Sequence, residues 1–587
     1  MPLGPSGPLS KVCSINMSDK KATSHSVVSG DISALPDGHL SAFEASAGLC
    51  WCRLVATSMG RAWRNGRTAQ ARADDVRAAC RRAVIPALLL MVAAVTRLYR
   101  LDGKSLWLDE AFSVFVAGQP LNRMMEIIVQ HDTPPPLYYA LLHFWLALGN
   151  DPFTARLLSV LFGIATAGAA WSLGHVAAGK REATVAGLLV AISPLLVWYG
   201  QEARMYALLC LLCSLSAIFL LLALRTSQAR YGALYVAATV LAMYTQASAL
   251  FFVLAEACAA LIFLVWPEKD ASVGNSSPPS VRRHLRSWLL SQAAVALLWL
   301  PWLPSFLRQS EIYKDFWIPA PNPDSVVTLF FELTSAYLPH WRLSHSREVL
   351  VAAAVGVILS AVLRSRSRER LFLLQLVIVP TIGMYLASQF KPIFISRALI
   401  YISVPYLVLL ACGICGLAHW KLAMPLLAAL LLLLNSLSLY RLYMVQPKEE
   451  WELAASYITS RATSGELVLF LAADAQIPFD YYAGADSKRL ERRGLPADVL
   501  SVPPLEPKVR AQDLPRIRSL IADHPSFWLV ESHSEFADPQ GLVRQIIAES
   551  WESQDRRQFY GITVERLRRA TRVIKGQAEL VTVERQR

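Results

Sequence analysis

From Ala83 onward, apolar residues come in long runs broken by short charged loops. A helix needs roughly 20 predominantly apolar residues to cross a bilayer, and somewhat shorter runs are tolerated. On that measure eleven spans are expected, near 83–99, 153–176, 183–199, 205–224, 231–246, 247–266, 287–306, 347–363, 371–389, 394–417 and 420–440. Two stretches between them are too long to be connectors. In the first, 100–152, Leu121, Met124, Met125 and Ile128 recur at helical spacing after Pro120, while Asn122, Arg123 and Glu126 take the other face. This predicts an amphipathic helix lying in the membrane interface. The second, 307–346, carries Phe316, Trp317 and Trp341, aromatics suited to the same depth.

Beyond residue 445 the pattern changes. "EEWELAASYITSRA" reads as a helix, and "ELVLFLA", "SFWLVES" and "FYGITVERL" read as strands separated by polar helical stretches. The expected organisation is a basic, disordered cytoplasmic tail at 1–81, a polytopic helical membrane domain at 82–445, and a small extracytoplasmic α/β domain at 446–587. The opening "MPLGPSGPLSK" lacks a basic segment followed by an apolar core, so no signal peptide is expected there.

Composition agrees with a membrane protein that has soluble ends: 54% of the 587 residues are hydrophobic and 17% charged. The net charge of +13 does not point to nucleic acid, because Arg and Lys cluster in the tail and in alternate short loops. The basic loops "AAGKRE", "RTSQAR", "VRRHLR" and "RSRSRER" are placed on the cytoplasmic side together with the tail. The stretch 100–152 and the C-terminal segment then face outward. The C-terminal segment has no cysteine, so disulfides are not what holds it together. Cys50 and Cys52 lie in the tail without matching ligands, and the CxxC pair Cys412 and Cys415 lies inside an apolar run, so neither pair is assigned a metal or redox role.

The chemistry-bearing residues gather at the outer ends of spans. "SLWLDEAFSV" holds adjacent carboxylates, Asp109 and Glu110; "HDTPPPLYY" holds Asp132; "YGQEARMY" holds Glu202, Arg204 and Tyr206; "KPIFISRA" holds Lys391 and Arg397. Taken in order with "DFWIPAP" and "EEWELAASYI", these motifs resemble the bacterial membrane glycosyltransferases of the GT-C class. The nearest are the family 39-like enzymes, related to protein O-mannosyltransferases and aminoarabinose transferases. The resemblance spans roughly residues 83–480. It implies a GT-C fold and transfer of a sugar from a polyprenyl-phosphate carrier to an acceptor on the outer face of the membrane. It also implies a catalytic Asp in the first outer loop, here Asp109.

Such a transfer needs a base for the acceptor hydroxyl, cations for the departing phosphate, and in-line positioning of the two. Adjacent helical residues diverge by about 100°, so Asp109 and Glu110 cannot both address one acceptor atom. Asp109 is assigned as base and Glu110 as a positioning or hydrogen-bonding residue; helix capping is the competing structural role for the pair. Asp132 is assigned to the site, beside a rigid proline run, and His131 is expected to be a solvated interfacial histidine. Arg204 is placed near the lipid phosphate with Glu202 orienting it or the sugar, and Tyr206, Lys391 and Arg397 complete the binding set. Arg397 is suited to bidentate phosphate binding. Glu256 is a lone acid deep in a span.

The implied partners are a polyprenyl-phosphate sugar, a lipid, glycan or protein acceptor, and membrane lipid, with no nucleic acid. The expected location is the bacterial inner membrane, with site and C-terminal domain outside the cytoplasm. No clean His/Asp/Glu ligand set is present, so no cofactor is assigned and a divalent metal is left open. The competing class is a transporter or flippase for the same lipid. Repeated halves and charges near the midplane, which transporters tend to show, are not evident in the pattern.

Overall fold

The computed structural model describes residues 69–265, 281–312, 318–335, 345–365, 367–419, 422–501 and 508–570. Phe316, Trp317 and Trp341, and most of the basic tail, lie outside the described residues.

Each of the eleven apolar runs falls on an apolar helix. Seven described helices are long and apolar enough to cross a membrane: Pro152–Ala177, Tyr206–Thr226, Arg283–Glu311, Ser346–Ser365, Arg368–Ala387, Ser396–Gly416 and Ala423–Met444. An eighth span is formed if Lys180–Ile192 and Pro194–Gly200 count as one, bent by 55°. The break has a local cause: Pro194 opens the second piece and offers no backbone N–H to the turn before it. Ala83–Leu98, Ala229–Met243 and Ala249–Val265 are shorter apolar helices, and one more, Leu137–Leu148, lies inside the first long inter-span segment.

Two helices form the centre of the bundle. Tyr206–Thr226 and Ser403–Gly416 are buried along nearly their whole length. At Gly413 an added Cβ would come 2.6 Å from the Val357 carbonyl, so this glycine lets two helix backbones touch. Outer helices instead leave large side chains such as Leu297, Leu363 and Leu433 uncovered, as lipid-facing surfaces do. The chain is a multi-pass membrane protein.

One boundary differs from expectation. The first helix begins at Ala69, not near Ala83, so residues 69–81 are helical and not a disordered tail. "AQARADDVRAACRRA" has no apolar period, but its Ala and Arg residues are strong helix formers, so propensity alone favours helix ahead of the span.

The amphipathic helix after Pro120 forms at Leu121–His131, with Arg123 and Glu126 paired at 2.7 Å on its exposed side. Its buried stripe is Met124, Ile127, Ile128 and His131, while Leu121 is exposed. His131 is therefore buried rather than solvated, because it continues the i, i+3, i+4, i+7 stripe begun by Met124.

The C-terminal region builds a five-stranded mixed sheet in the order β2-β1-β3-β5-β4. The strands are β1 Leu467–Phe470, β2 Glu491–Gly494, β3 Ser526–Glu531, β4 Trp551–Phe559 and β5 Ile562–Arg569. β1 pairs in parallel with β2 and β3, and β5 runs antiparallel to β3 and β4. The three strands evident in the sequence are the inner ones. β1 and β3 bury Leu467, Leu469, Phe527 and Leu529 on one face and Val468, Phe470, Trp528 and Val530 on the other.

Candidate active site

The site is built around the Leu108–Ala117 helix, whose first turn carries Asp109 and Glu110. The two carboxylates point apart. Glu110 is fully buried and accepts two hydrogen bonds from Arg156, Nε to Oε1 and Nη2 to Oε2, both at 2.7 Å. It also accepts from the Ala203 amide at 3.0 Å and from Lys448 Nζ at 3.0 Å. Burial alone would raise the Glu110 carboxyl, but Arg156 and Lys448, helped by the Ala203 amide, hold it down to about 2. Arg156 in turn donates to the carbonyls of Leu101, Lys104 and Ser105. Glu110 thus fixes the loop that leads into the helix.

Asp109 makes no cap bond; the N-cap position is Trp107, with no side-chain cap. Its carboxylate, 26% exposed, instead accepts from Arg397 Nη1 at 3.2 Å, with Arg204 Nη2 4.0 Å from the same oxygen. Arg204 is positioned by the carbonyl of Asp109 at 3.4 Å, Ser113 Oγ at 3.1 Å and the Tyr139 hydroxyl at 3.4 Å. Tyr139 donates to Asp132, whose other oxygen accepts from the Thr133 amide at 2.8 Å. Burial pushes the half-buried Asp132 carboxyl up to about 6, against the opposing pull of Arg204 and the Tyr139 bond. Asp109, Asp132, Arg204 and Arg397 therefore form one continuous polar cluster, and Arg397 also stands over the Trp107 ring at 6.0 Å.

Glu202 and Arg204 do not join through their side chains. The fully buried Glu202 lies 3.2 Å from Lys448 Nζ, while Arg204 faces the other way, toward Asp109. Burial raises the Glu202 carboxyl and Lys448 opposes it. Between them the chain turns tightly at 201–205, with the Arg204 amide donating to the Glu202 carbonyl at 2.7 Å and Gln201 Nε2 donating to the carbonyls of Arg97 and Tyr99. Tyr206 opens the next helix with its ring edge-on to Tyr199 at 4.9 Å. Lys391 donates to the Ser310 carbonyl at 2.6 Å. Glu256 is the one acid of the Ala249–Val265 helix and accepts from Ser216 Oγ of the Tyr206–Thr226 helix at 2.6 Å.

Three contributors escaped sequence reasoning: Arg156, Lys448 and Tyr139. Arg156 had a signal, since a cation one turn inside an apolar run requires a partner. Lys448 sits in "QPKEE" directly after the last span, at the membrane end where the acids gather. Tyr139 had only its place in "LYY". Among the described residues no three His, Cys, Asp or Glu side chains converge as a metal site, so no residues are assigned to a metal ion.

A family model described as dolichyl-phosphate-mannose-protein mannosyltransferase matches residues 132–299, which include Asp132 and the Gln201–Tyr206 turn. Among solved structures, ArnT from Cupriavidus metallidurans in the apo state is similar with a TM-score of 0.52 at 13% identity, covering 82% of this chain and 97% of that one. The same protein bound to undecaprenyl phosphate gives a TM-score of 0.50 at 13% identity, with the same coverage of 82% and 97%. No curated protein sequence matches this chain. The chain has the fold of the GT-C membrane glycosyltransferases.

Proposed function

We propose that this protein transfers a sugar, with inversion, from a polyprenyl-phosphate donor to an acceptor hydroxyl on the outer face of the membrane. The observation that carries the reading is the partly exposed carboxylate of Asp109, held between the two guanidinium groups of Arg204 and Arg397. In the proposed step the acceptor oxygen attacks the anomeric carbon, its proton passes to Asp109, and the anomeric carbon–oxygen bond to phosphate breaks. The electron pair leaves with polyprenyl phosphate, whose new charge Arg204 and Arg397 are placed to bind. Asp132 and Tyr139 hold Arg204 from behind. The ArnT structure that contains undecaprenyl phosphate supports a lipid phosphate as the donor class.

Purified protein incubated with a panel of polyprenyl-phosphate sugars should release free polyprenyl phosphate and yield glycosylated acceptor by mass spectrometry. Lipid that moves between leaflets without release of polyprenyl phosphate would identify a flippase instead. The outward orientation is tested by cysteines introduced at Gln228 and Glu535, both exposed, in a background without Cys13, Cys50, Cys52 and Cys80. The two should label from opposite sides of the membrane. Labelling from one side would overturn the outer-face assignment.

A further inference from the structure

A helix leaves its first N–H groups without partners inside the helix. In Leu108–Ala117 the usual remedy is missing, because Trp107 at the N-cap has no side-chain oxygen to accept from them, although its carbonyl takes the Glu110 and Ala111 amides. The Leu108 amide is satisfied by another part of the chain: it donates to Glu449 Oε2 at 3.1 Å, across 341 residues of sequence. The same oxygen accepts from Trp451 Nε1 at 2.6 Å, and His533 Nε2 stands 3.4 Å from Oε1. Glu449 is therefore anchored in the C-terminal region by two side chains, one on each oxygen, and reaches the helix with the oxygen that Trp451 holds. Its neighbour Lys448 bridges Glu110 and Glu202. Just ahead of the helix, the Leu106 amide donates to the Tyr482 hydroxyl at 2.6 Å.

We propose that Glu449 is a positioning residue for transfer: it caps, from outside the helix, the turn that carries Asp109, and so fixes the Asp109 carboxylate relative to Arg204 and Arg397. The inference rests on the reading of Asp109 as the base. The negative charge of Glu449 also suits its place, since the N-terminal end of a helix carries partial positive charge. The C-terminal region then acts on the site through a bond to a backbone amide, beside the Lys448 contacts with Glu110 and Glu202. Loss of the cap lets the first turn fray, and a displacement of about 1 Å at a reacting group is enough to cost a rate factor of ~10².

The test compares full-length protein with Glu449→Ala, Glu449→Leu and Glu449→Gln. Ala and Leu remove the acceptor, and Leu retains the bulk if Ala fails to fold. Gln keeps one acceptor oxygen, which suffices because Leu108 and Trp451 share a single oxygen. Amide hydrogen exchange across residues 105–117 should accelerate in Ala and Leu and return to the original rate in Gln, with the transmembrane peptides unchanged. Turnover should fall by about 10² in Ala and Leu with donor affinity kept, and Gln should restore it. Unchanged exchange at 105–117, or acceleration spread over the whole chain, would overturn the proposal. Measuring Asp109→Asn in parallel separates the two ideas: normal turnover there would remove the base assignment, while the exchange comparison still decides whether Glu449 holds the turn.

Discussion

Asp109 Oδ2 and Arg397 Nη1 lie 3.2 Å apart although 288 residues separate them in the chain. The pair joins the first long inter-span segment to the start of the Ser396–Gly416 span. In the proposed reaction a lipid phosphate would compete with Asp109 for the same guanidinium group, so donor binding would free the carboxylate to turn toward an acceptor.

Replacing Asp109 by Asn keeps shape and a hydrogen-bond acceptor for Arg397 but removes the basic charge. Transfer should fall by about 10² to 10⁴ while donor affinity is retained. Measured on protein shown to be folded, turnover near that of the original would sink the catalytic assignment.

Arg397→Gln and Arg204→Gln each remove one positive charge from the proposed phosphate site. Turnover should fall by about 10² or more, the size expected when a transition-state interaction of about 3 kcal/mol is lost. Single-turnover rates and donor binding should be read together. If both variants keep both quantities, the two arginines do not form the phosphate cradle.

Glu110 and Arg156 predict a loss of stability rather than of chemistry. Glu110→Leu leaves Arg156 buried without its bidentate partner, and breaking such a pair from one side costs about 3–5 kcal/mol. Thermal unfolding in detergent should shift down. The sign with pH is also fixed: because the carboxyl is depressed to about 2 from 4.5, its contribution is intact above 4.5 and is lost as pH falls toward 2. A Glu110→Gln variant as stable as the original at pH 7 would contradict this.

Asp132 behaves in the opposite way. Its carboxyl is raised from 3.8 to about 6, so folding favours the protonated form, and the stability due to this group falls as pH rises from 3.8 to about 6. If the Asp132 charge holds Arg204 through Tyr139, turnover should rise as pH passes through about 6. That step should vanish in Asp132→Asn. A profile with the same step in the variant would assign the titration to another group.

The seven or eight spans were legible because burial in lipid leaves a one-dimensional trace, a long apolar run. Asp109, Arg204 and Arg397 were legible as polar residues at span ends, where an unneeded charge is costly. The partner of Glu202 was not. Nearness in sequence favoured Arg204, yet the turn between them aims the side chains apart, and the true partner, Lys448, is brought in only by the tertiary fold. β2 and β4 were also missed. "ERRG" and "WESQDRRQF" lack the apolar pattern of inner strands because they are the two edges of the sheet, where one flank of each strand has no neighbour and charged side chains are favoured.

The bond from the Leu108 amide to Glu449 also sets an order of assembly. The helix that bears Asp109 leaves the ribosome 341 residues before its cap. At about 5–20 residues per second, it waits roughly 17–70 s for that partner. Glu202 likewise enters the membrane region well before Lys448 is made. A polypeptide stopped between the end of the last span, Met444, and Lys448 carries Asp109, Arg204 and Arg397, but not the groups that hold the first turn still. Synthesis of the segment after the last span is thus coupled, through one bond to a backbone amide, to completion of the proposed site.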